Sequence, residues 1–443
     1  MCAFVERADD QRIEPVSAIQ PVMMRQHAFH PAQSVKGRKK MNELCHGRRL
    51  NIIAPMGNPP KIKCAFITTD ARSPLGKQNN PDPIFGMAPW ALLLGFAVCP
   101  DVEVHVISCT QQPLRSPEKL ADNIWFHGLH VPKIGWMRTF YQGCIRATRK
   151  KLREIRPDIV HGQGTERDCA INASFSGQPN VITIHGNMKA MANFFHSRPG
   201  SFHWLAAKLE TMALRRTDGV FCNSAYTENL VAPRAKRVWR VPNALRPEFF
   251  GPLPPSPRND RPVLLNVGVI SPYKQQAEIL AVAQKLWQRG LRFEMQFAGA
   301  VDQQTGYGAG FMRQLAEAQT AGYARHLGVL HTNELLNAID GASALVHFPR
   351  EEAFGLVVAE ALARNLKLFA ASTGGIADIA SGVDGAELLA GTDWAGLENA
   401  LARWMEAGGA RPGGAAAVMR QRYHPEIIVR RHLEIYREVL GRH

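Results

Sequence analysis

The chain has few features of a metal-binding or disulfide-linked protein. None of its eight cysteines forms a Cys-x-x-Cys pair, and none lies beyond Cys222. Neither the paired spacing of zinc sites nor the framework of a disulfide-rich secreted domain is present. This cysteine usage is typical of a reducing compartment, so we expect a cytoplasmic protein without a metal centre.

Long apolar runs are also scarce. Residues 83–100 form an uncharged, largely apolar stretch whose length approaches that of a membrane span. Prolines bracket and interrupt it, and its uninterrupted part, Trp90–Val98, is too short to cross a bilayer. We therefore expect a buried helix there. The N-terminus lacks a basic segment followed by an apolar run, so no signal peptide is predicted.

Acidic residues are in deficit, with 38 Asp and Glu against 53 Lys and Arg and a formal charge of +15. Such a charge favours acidic partners such as nucleoside diphosphates, anionic lipids or nucleic acid, without choosing among them. A length of 443 residues indicates two domains. Residues 1–60 show no sustained periodicity and are predicted to be a disordered basic tail.

The most informative stretch runs from His347 to Ile379. A short apolar strand, Ser343–Phe348, precedes a segment of helical composition at Phe354–Arg364, and a second strand follows at Lys367–Ala371. This order predicts a βαβ unit of a parallel sheet. Gly355 lies where the helix should begin, and the free N–H groups of a first helical turn suit a phosphate.

Two acids flank this helix start, Glu352 and Glu360. Eight helical residues would leave them about 80° apart, so they would not stack as an i,i+4 pair. We expect Glu352 in the loop at the helix mouth and Glu360 two turns further on. Spacing alone leaves two interpretations open: ordinary surface charges, or two acids meeting opposite ends of one ligand.

Polar residues end several other predicted strands. His161 and His185 each follow an apolar run and precede a glycine, and Lys274 follows the strand Val263–Gly268 after a short loop. The carboxyl ends of parallel strands are where α/β proteins place ligand-binding residues. Each of these residues is also compatible with a purely structural role.

The motifs together resemble the retaining glycosyltransferases of the GT-B fold, especially glycosyltransferase family 4. The segment Glu352–Glu360 is similar to that family's Glu-Gly-Phe-Gly-Leu-x-x-x-Glu, with Ala353 in place of glycine. Thr373–Ile379 resembles its Gly-Gly-x-x-Glu-Ile. In the family's Gly-Arg-x4-Lys pattern, Lys274 is present but Val269 occupies the arginine position, which leaves one cation fewer for a diphosphate.

The resemblance implies an α/β protein of GT-B architecture, with two Rossmann-like domains and an interdomain cleft. The N-terminal, acceptor-side domain would span residues 61–247, and a proline-rich linker would follow at 248–262. The nucleotide-sugar-binding domain would occupy residues 263–424. A C-terminal helix within 425–443 would pack back on the first domain.

The same resemblance assigns site residues. Glu352, His185 and Lys274 would be catalytic: Glu352 would orient the transferred sugar, His185 would lie near it, and Lys274 would stabilise the departing diphosphate. Glu360 would accept hydrogen bonds from the ribose. The expected donor-binding residues are Glu360, Phe354, Gly355, Leu356, Gly268, Gly374 and Gly375.

The function implied is transfer of a sugar from a nucleoside-diphosphate donor to a glycan or lipid-linked acceptor, with no cofactor. No Asp-x-Asp occurs in the sequence, so no metal site is expected at the diphosphate. A basic amphipathic helix predicted at 136–156 suggests peripheral contact with an anionic membrane at its inner face; specific binding to nucleic acid is not expected. Alternatives on the same fold are a sugar phosphorylase, a sugar-nucleotide epimerase or an inactive relative.

Overall fold

The computed structural model describes residues 61–255 and 260–443. The predicted tail at 1–60 lies outside the described residues. The described chain divides into two compact units. The N-terminal unit comprises residues 61–223, 227–244 and 425–443, and the C-terminal unit comprises residues 224–226 and 245–424.

The N-terminal unit is built on an eight-stranded sheet. The strands are β1 Ile62–Ile67, β2 Val102–Thr110, β3 Lys119–Ala121, β4 Ile124–His130, β5 Ile159–Gln163, β6 Asn180–Ile184, β7 Gly219–Cys222 and β8 Val238–Arg240. Their order is β3-β4-β2-β1-β5-β6-β7-β8, and every pairing is parallel except β3 with β4. Helices cover both faces, which is why the central strands read as continuous apolar runs rather than alternating ones.

Six helices connect these strands along the chain. They are α1 Met87–Ala97, α2 Gln142–Ile155, α3 Cys169–Ser174, α4 Met188–Phe194, α5 Phe202–Arg216 and α6 Ala225–Val231. The prediction of a buried helix within 83–100 is confirmed by α1, whose leucines Leu92 and Leu93 are 5% and 1% exposed.

The C-terminal unit contains a six-stranded parallel sheet. Its strands are β9 Val263–Val267, β10 Glu294–Ala298, β11 Ala324–Gly328, β12 Ala344–His347, β13 Lys367–Ala371 and β14 Ala386–Leu389. The helices are α7 Gln276–Gln288, α8 Gly306–Thr320, α9 Thr332–Gly341, α10 Leu356–Leu362, α11 Ile376–Ala380, α12 Trp394–Glu406 and α13 Ala415–Tyr423. The predicted βαβ unit is confirmed by β12, α10 and β13.

The strand order of the C-terminal sheet is β11-β10-β9-β12-β13-β14. In order along the chain this is 3-2-1-4-5-6, the doubly wound Rossmann order. Chain connections run to opposite sides of the sheet from β9 and β12, and this reversal opens a crevice at their carboxyl ends. The two α/β units confirm the predicted fold class, and the crevice fixes where the C-terminal unit can hold a ligand.

The unit boundary falls between Ala244 and Leu245, ahead of the predicted linker at 248–262. Phe249 and Phe250 within that segment are 0% and 7% exposed and belong to the apolar core of the C-terminal unit. The first part of this proline-rich segment therefore packs as part of a folded unit.

The prediction of a continuous helix from Trp136 is wrong. Residues 133–135 and 137–139 form two 3-10 turns, and α2 begins only at Gln142. Phe140 and Tyr141 have φ angles of 51° and 59°, a left-handed conformation that an α-helix cannot include. Trp136 turns inward because its indole N–H donates to the Val131 carbonyl at 2.9 Å.

The chain ends in α14, Pro425–Leu440, which belongs to the N-terminal unit. Its apolar face joins the core beneath the N-terminal sheet, and it packs closely on α1 at Gly95. A Cβ at Gly95 would lie 2.8 Å from Val429 Cγ2 and 2.9 Å from the Pro425 carbonyl oxygen. Glycine at this position therefore sets how closely the two helices approach.

None of the helices within residues 61–255 and 260–443 has both the length and the apolar character needed to span a bilayer.

We predict that Gly95→Ala destabilises the protein by about 1–3 kcal/mol, because the added methyl overpacks the contact between α1 and α14. In an unconstrained helix interior the same change would stabilise by up to about 1 kcal/mol. Gly310→Ala in α8 is the matched control, since its Cβ would find only the tip of Arg313 within 4 Å, at 3.9 Å. Chemical unfolding of both variants measures the difference; a Gly95→Ala protein as stable as Gly310→Ala would contradict the packing argument.

Candidate functional site

A lysine and a glutamate meet at the crevice of the C-terminal sheet. Lys274 follows β9 and Glu352 follows β12, the two strands on either side of the strand-order reversal. The Lys274 Nζ donates to Glu352 Oε2 at 2.5 Å, and the two side chains are only 13% and 8% exposed. His347 Nε2 lies 3.4 Å from the same carboxylate oxygen. Lys274, His347 and Glu352 are called the switch-point cluster below.

The charges in the switch-point cluster compensate one another. Burial alone would raise the pKa of Glu352, but the Lys274 ammonium, with His347, outweighs burial and holds that pKa well below its usual range. Burial lowers the pKa of His347, with the Glu352 carboxylate opposing it. At neutral pH Glu352 is therefore ionised and His347 is neutral.

The loop that carries Glu352 ends at the mouth of α10. Gly355 precedes the helix with φ of 102°, a conformation that favours glycine. Among the described residues, none accepts a hydrogen bond from the backbone N–H groups of Phe354, Gly355 or Leu356. The Phe354 side chain is buried against Tyr423, so only its backbone is available to a ligand.

Gly374 and Gly375 pack against the backbone of the loop that carries Glu352. The Gly375 N–H donates to the Glu352 carbonyl at 2.9 Å. A Cβ at Gly374, whose φ is 57°, would lie 1.9 Å from that carbonyl oxygen, and one at Gly375 would lie 2.6 Å from the Ala353 carbonyl oxygen. The structure thus explains these two glycines by the close approach of the Glu352 loop.

The loop after β9 is likewise held by close contact with the backbone at the end of β10. Gly268 has φ of 154°, and its N–H donates to the Ala298 carbonyl at 2.9 Å. A Cβ at Gly299 would lie 1.9 Å from the Gly268 carbonyl oxygen. Val269, at the position where the sequence lacks a cation, follows directly. Arg350 is an exposed cation attached to the same region, with its Nε 3.2 Å from Gln275 Oε1.

Glu360 is held by an arginine that the sequence analysis did not identify. Arg246 Nη2 donates to Glu360 Oε1 at 2.8 Å, and Nη1 donates to Thr332 Oγ1 at 2.7 Å. The Arg246 and Glu360 side chains are 5% and 3% exposed. Arg246, Thr332 and Glu360 are called the Glu360 network below. Burial raises the pKa of Glu360, and Arg246 opposes this shift.

In the N-terminal unit, His185 follows β6 and is half-buried. Its Nε2 lies 2.9 Å from Gln163 Oε1, and Gln163 Nε2 lies 3.0 Å from His161 Nε2. With the amide so oriented, Gln163 donates to His161 and accepts from His185. Burial lowers the pKa of His185 to about 3, although a hydrogen bond with Asn243 opposes the shift, so His185 is neutral at physiological pH.

His161 has a structural position. It is fully buried, with Nδ1 2.5 Å from the Tyr436 hydroxyl and Nε2 2.7 Å from Thr183 Oγ1. Glu166, which the sequence analysis overlooked, accepts from the Gly186 N–H at 2.8 Å, and burial raises its pKa. No spacing rule points to Glu166, because its partner Gly186 lies 20 positions away, in the loop after β6.

A separate groove of about 1300 Å³ lies on the N-terminal unit and includes none of these residues. Positive side chains dominate its charge, namely Lys189, Lys208, Arg215, Arg216 and Lys236.

Solved structures resemble the whole described chain. Sucrose-phosphate synthase from Thermosynechococcus elongatus aligns with a TM-score of 0.67 and 17% identity, over 86% of this chain and 100% of that one. Anabaena HepE in complex with UDP and glucose aligns with a TM-score of 0.65 and 15% identity, over 85% and 100% of the chains. OtsA aligns at 0.62 with 12% identity, over 86% and 99%. At these identities the likeness shows the fold.

A search of curated proteins found no match. Family models assign the sequence directly. The model described as Glycosyltransferase Family 4 matches residues 100–249, and the model described as Glycosyl transferases group 1 matches residues 254–413. Together they cover most of both units, including the switch-point cluster and the Glu360 network. The chain therefore belongs to the family 4-type glycosyltransferases of the GT-B fold.

Proposed function

We propose that this glycosyltransferase transfers a sugar from a nucleoside-diphosphate donor to a glycan or lipid-linked acceptor, with retention of anomeric configuration and without a catalytic metal ion. The observation that carries the proposal is the Lys274–Glu352 ion pair of 2.5 Å beside three backbone N–H groups that donate to none of the described residues. A cation and free N–H groups suit a diphosphate, and a carboxylate suits sugar hydroxyls.

In the proposed reaction, the bond between the anomeric carbon and the diphosphate breaks and its electron pair stays on the diphosphate oxygen. An acceptor hydroxyl oxygen bonds to the anomeric carbon on the face that the diphosphate leaves, and its proton passes to the departing diphosphate oxygen. Lys274 and the N–H groups of Phe354, Gly355 and Leu356 stabilise this developing charge. As Lys274 turns to the diphosphate, the Glu352 carboxylate becomes free to accept hydrogen bonds from the sugar. The low pKa of Glu352 keeps it an acceptor throughout.

Glu360 is proposed to bind the ribose hydroxyls of the donor. Arg246 supports this role because it fixes one carboxylate oxygen, Oε1, and offsets the cost of a buried charge. His185 is proposed to lie against the transferred sugar as a neutral imidazole whose ring is oriented by its hydrogen bond to Gln163.

Two observations support a uridine-containing donor and a reaction that proceeds without a metal ion. HepE, one of the structural relatives, has been solved with UDP and glucose and with UDP-glucose, so uridine donors head the candidates. Assistance by cations and N–H groups rather than by a metal fits the absence of Asp-x-Asp from the sequence.

We expect a thermal-shift screen over nucleoside-diphosphate sugars, beginning with UDP-glucose, to identify the donor. A ligand at 100 times its Kd should add about 2.7 kcal/mol of stability. Slow hydrolysis of the same donor, unaffected by EDTA and releasing sugar with its original anomeric configuration by NMR, would accompany the shift.

Three outcomes contradict the proposal. Stabilisation by no nucleotide sugar removes it altogether. Sugar transfer that requires inorganic phosphate and no nucleotide identifies a phosphorylase. Conversion of one nucleotide sugar into another, with no sugar released or transferred, identifies an epimerase.

Glu360→Gln should weaken nucleotide binding roughly 10- to 100-fold, because it replaces a charged acceptor worth about 1.5–3 kcal/mol. It should also lower the free energy of unfolding, since Arg246 loses its buried partner. Titration calorimetry with UDP and chemical unfolding measure the two effects separately.

Asp340→Asn is the matched control for Glu360→Gln. Asp340 forms a comparable pair in the same unit, with its Oδ1 2.7 Å from Arg364 Nε. We expect this variant to lose stability while keeping its affinity for UDP. A Glu360→Gln protein that binds UDP as tightly as the wild type would remove the ribose role.

A surface near α2 supports a lipid-linked acceptor. Ile134 and Phe140 are 77% and 53% exposed, the two most exposed of the large apolar side chains in the described chain. Exposed cations lie on the same turns and along α2, namely Lys133, Arg138, Arg146, Arg149, Lys150 and Arg153. Apolar side chains that enter the interface beside lysines and arginines are the features of a peripheral contact with an anionic membrane.

The double variant Ile134→Glu/Phe140→Glu should bind phosphatidylglycerol vesicles roughly tenfold or more weakly than the wild type, because it removes both apolar anchors. Vesicle co-sedimentation measures the loss. Leu253→Glu, at an apolar residue 45% exposed in the C-terminal unit, is the control and should bind normally. Equal binding by the double variant and the control would exclude this surface.

A further inference from the structure

Two thiols and a carboxylate meet in the core of the N-terminal unit. Cys109 is the second-last residue of β2, Cys144 lies in α2 and Asp168 directly precedes α3. The ligand atoms of all three lie within 4.8 Å of one another, and the residues are 5%, 0% and 3% exposed. Because the three residues come from distant parts of the sequence, they form no Cys-x-x-Cys motif that would predict the cluster.

The carboxylate of Asp168 is buried without a salt bridge to any described residue. Asn172 Nδ2 donates to its Oδ2 at 2.7 Å, and the Asp168 side chain is also hydrogen-bonded to Cys109. The neighbouring Arg167 lies over the Trp136 ring, 5.2 Å from its centroid. A buried carboxylate is stable when it is paired, coordinates a metal or takes up a proton.

Asn172 has the position of a residue that supports metal ligands. Besides its bond to Asp168, its Nδ2 lies 3.7 Å from Cys109 Sγ, so one amide contacts both a thiol and the carboxylate. Its Oδ1 is buried and has no hydrogen-bond partner. Groups that hydrogen-bond to ligating thiolates and carboxylates orient them and tune their affinity. Thr148 Oγ1, 3.8 Å from Cys109 Sγ, adds an oxygen on the same side.

We propose that Cys109, Cys144 and Asp168 bind one zinc ion as a structural site. Thiolate and carboxylate ligands suit zinc, and Zn–S and Zn–O bonds of about 2.3 and 2.0–2.2 Å place tetrahedral ligands roughly 3.5–3.8 Å apart. Since no two of the three atoms are more than 4.8 Å apart, each pair needs to contract by at most about 1.0–1.3 Å. The fourth ligand would be a neutral oxygen, from Thr148 or a water molecule.

The charges of the three ligands nearly balance the charge of a bound zinc ion. Binding of Zn²⁺ releases the protons of the two thiols, and of Asp168 where it is protonated, leaving three anionic ligands around a dication. The remaining single negative charge lies beside Arg167. The ion would cross-link β2, α2 and the start of α3, so it would stabilise the surface that carries Ile134 and the basic face of α2.

The test uses full-length protein made without a histidine tag in zinc-supplemented medium and purified without chelator. We expect about one zinc ion per chain by elemental mass spectrometry, and less than roughly a fifth of that in Cys144→Ser and Asp168→Asn. Cys222→Ser is the matched control, since Cys222 is equally buried elsewhere in the same unit and should retain the metal.

A second measurement does not depend on metal carried through purification. Protein unfolded with chelator and refolded with Cd²⁺ should show the ultraviolet charge-transfer absorption of Cd–thiolate bonds, and refolding with Zn²⁺ should raise its Tm. Asp168→Asn removes the buried charge and should fold without metal, showing little Tm response to zinc. Wild-type protein that holds no zinc and gives no Cd–thiolate band overturns the proposal, as does a Cys109–Cys144 disulfide found by mass spectrometry of freshly isolated protein.

Discussion

The structure of the C-terminal unit depends on the pairing of buried acids with cations at the end of its parallel sheet. Glu352 and Glu360 are both almost fully enclosed, and each would be too costly to ionise without a partner. Lys274 supplies one partner and Arg246 the other. The strand order places Lys274 and Glu352 on opposite sides of one crevice, so the fold itself produces the first pair.

This arrangement suggests how donor binding and catalysis are linked. In the proposed reaction, the diphosphate competes with Glu352 for the Lys274 ammonium, and the freed carboxylate turns to the sugar. Opening the existing Lys274–Glu352 ion pair therefore costs part of the binding free energy of the diphosphate. A ligand that carries both a diphosphate and a sugar offsets this cost, because it gives each of the two side chains a new partner. Nucleotide and sugar would then reinforce each other's binding, since each supplies a partner for one half of the opened pair.

The parts of the fold that a local sequence pattern determines could be predicted from the sequence. The apolar runs gave the strands around Glu352, and Gly355 marked the start of α10, because periodicity and glycine conformation are local properties. Arg246 could not be found this way, since it pairs with Glu360 across 114 positions of sequence. The helix predicted from Trp136 failed for a related reason: Trp136 is buried and its turn is set by a hydrogen bond to Val131, which composition does not reveal.

The last helix of the chain has a consequence for biosynthesis. It completes the core of the N-terminal unit with Ile428, Val429, Leu433 and Tyr436, yet about 180 residues separate it from Ala244, where that unit's main segment ends. At roughly 5–20 residues per second, a ribosome needs about 9–36 s to bridge this gap. During that interval the apolar face of α1, with the open space beside Gly95, stays uncovered on the nascent chain. The C-terminal unit can fold first, and the period before α14 emerges is when the growing polypeptide is most open to chaperones and to aggregation.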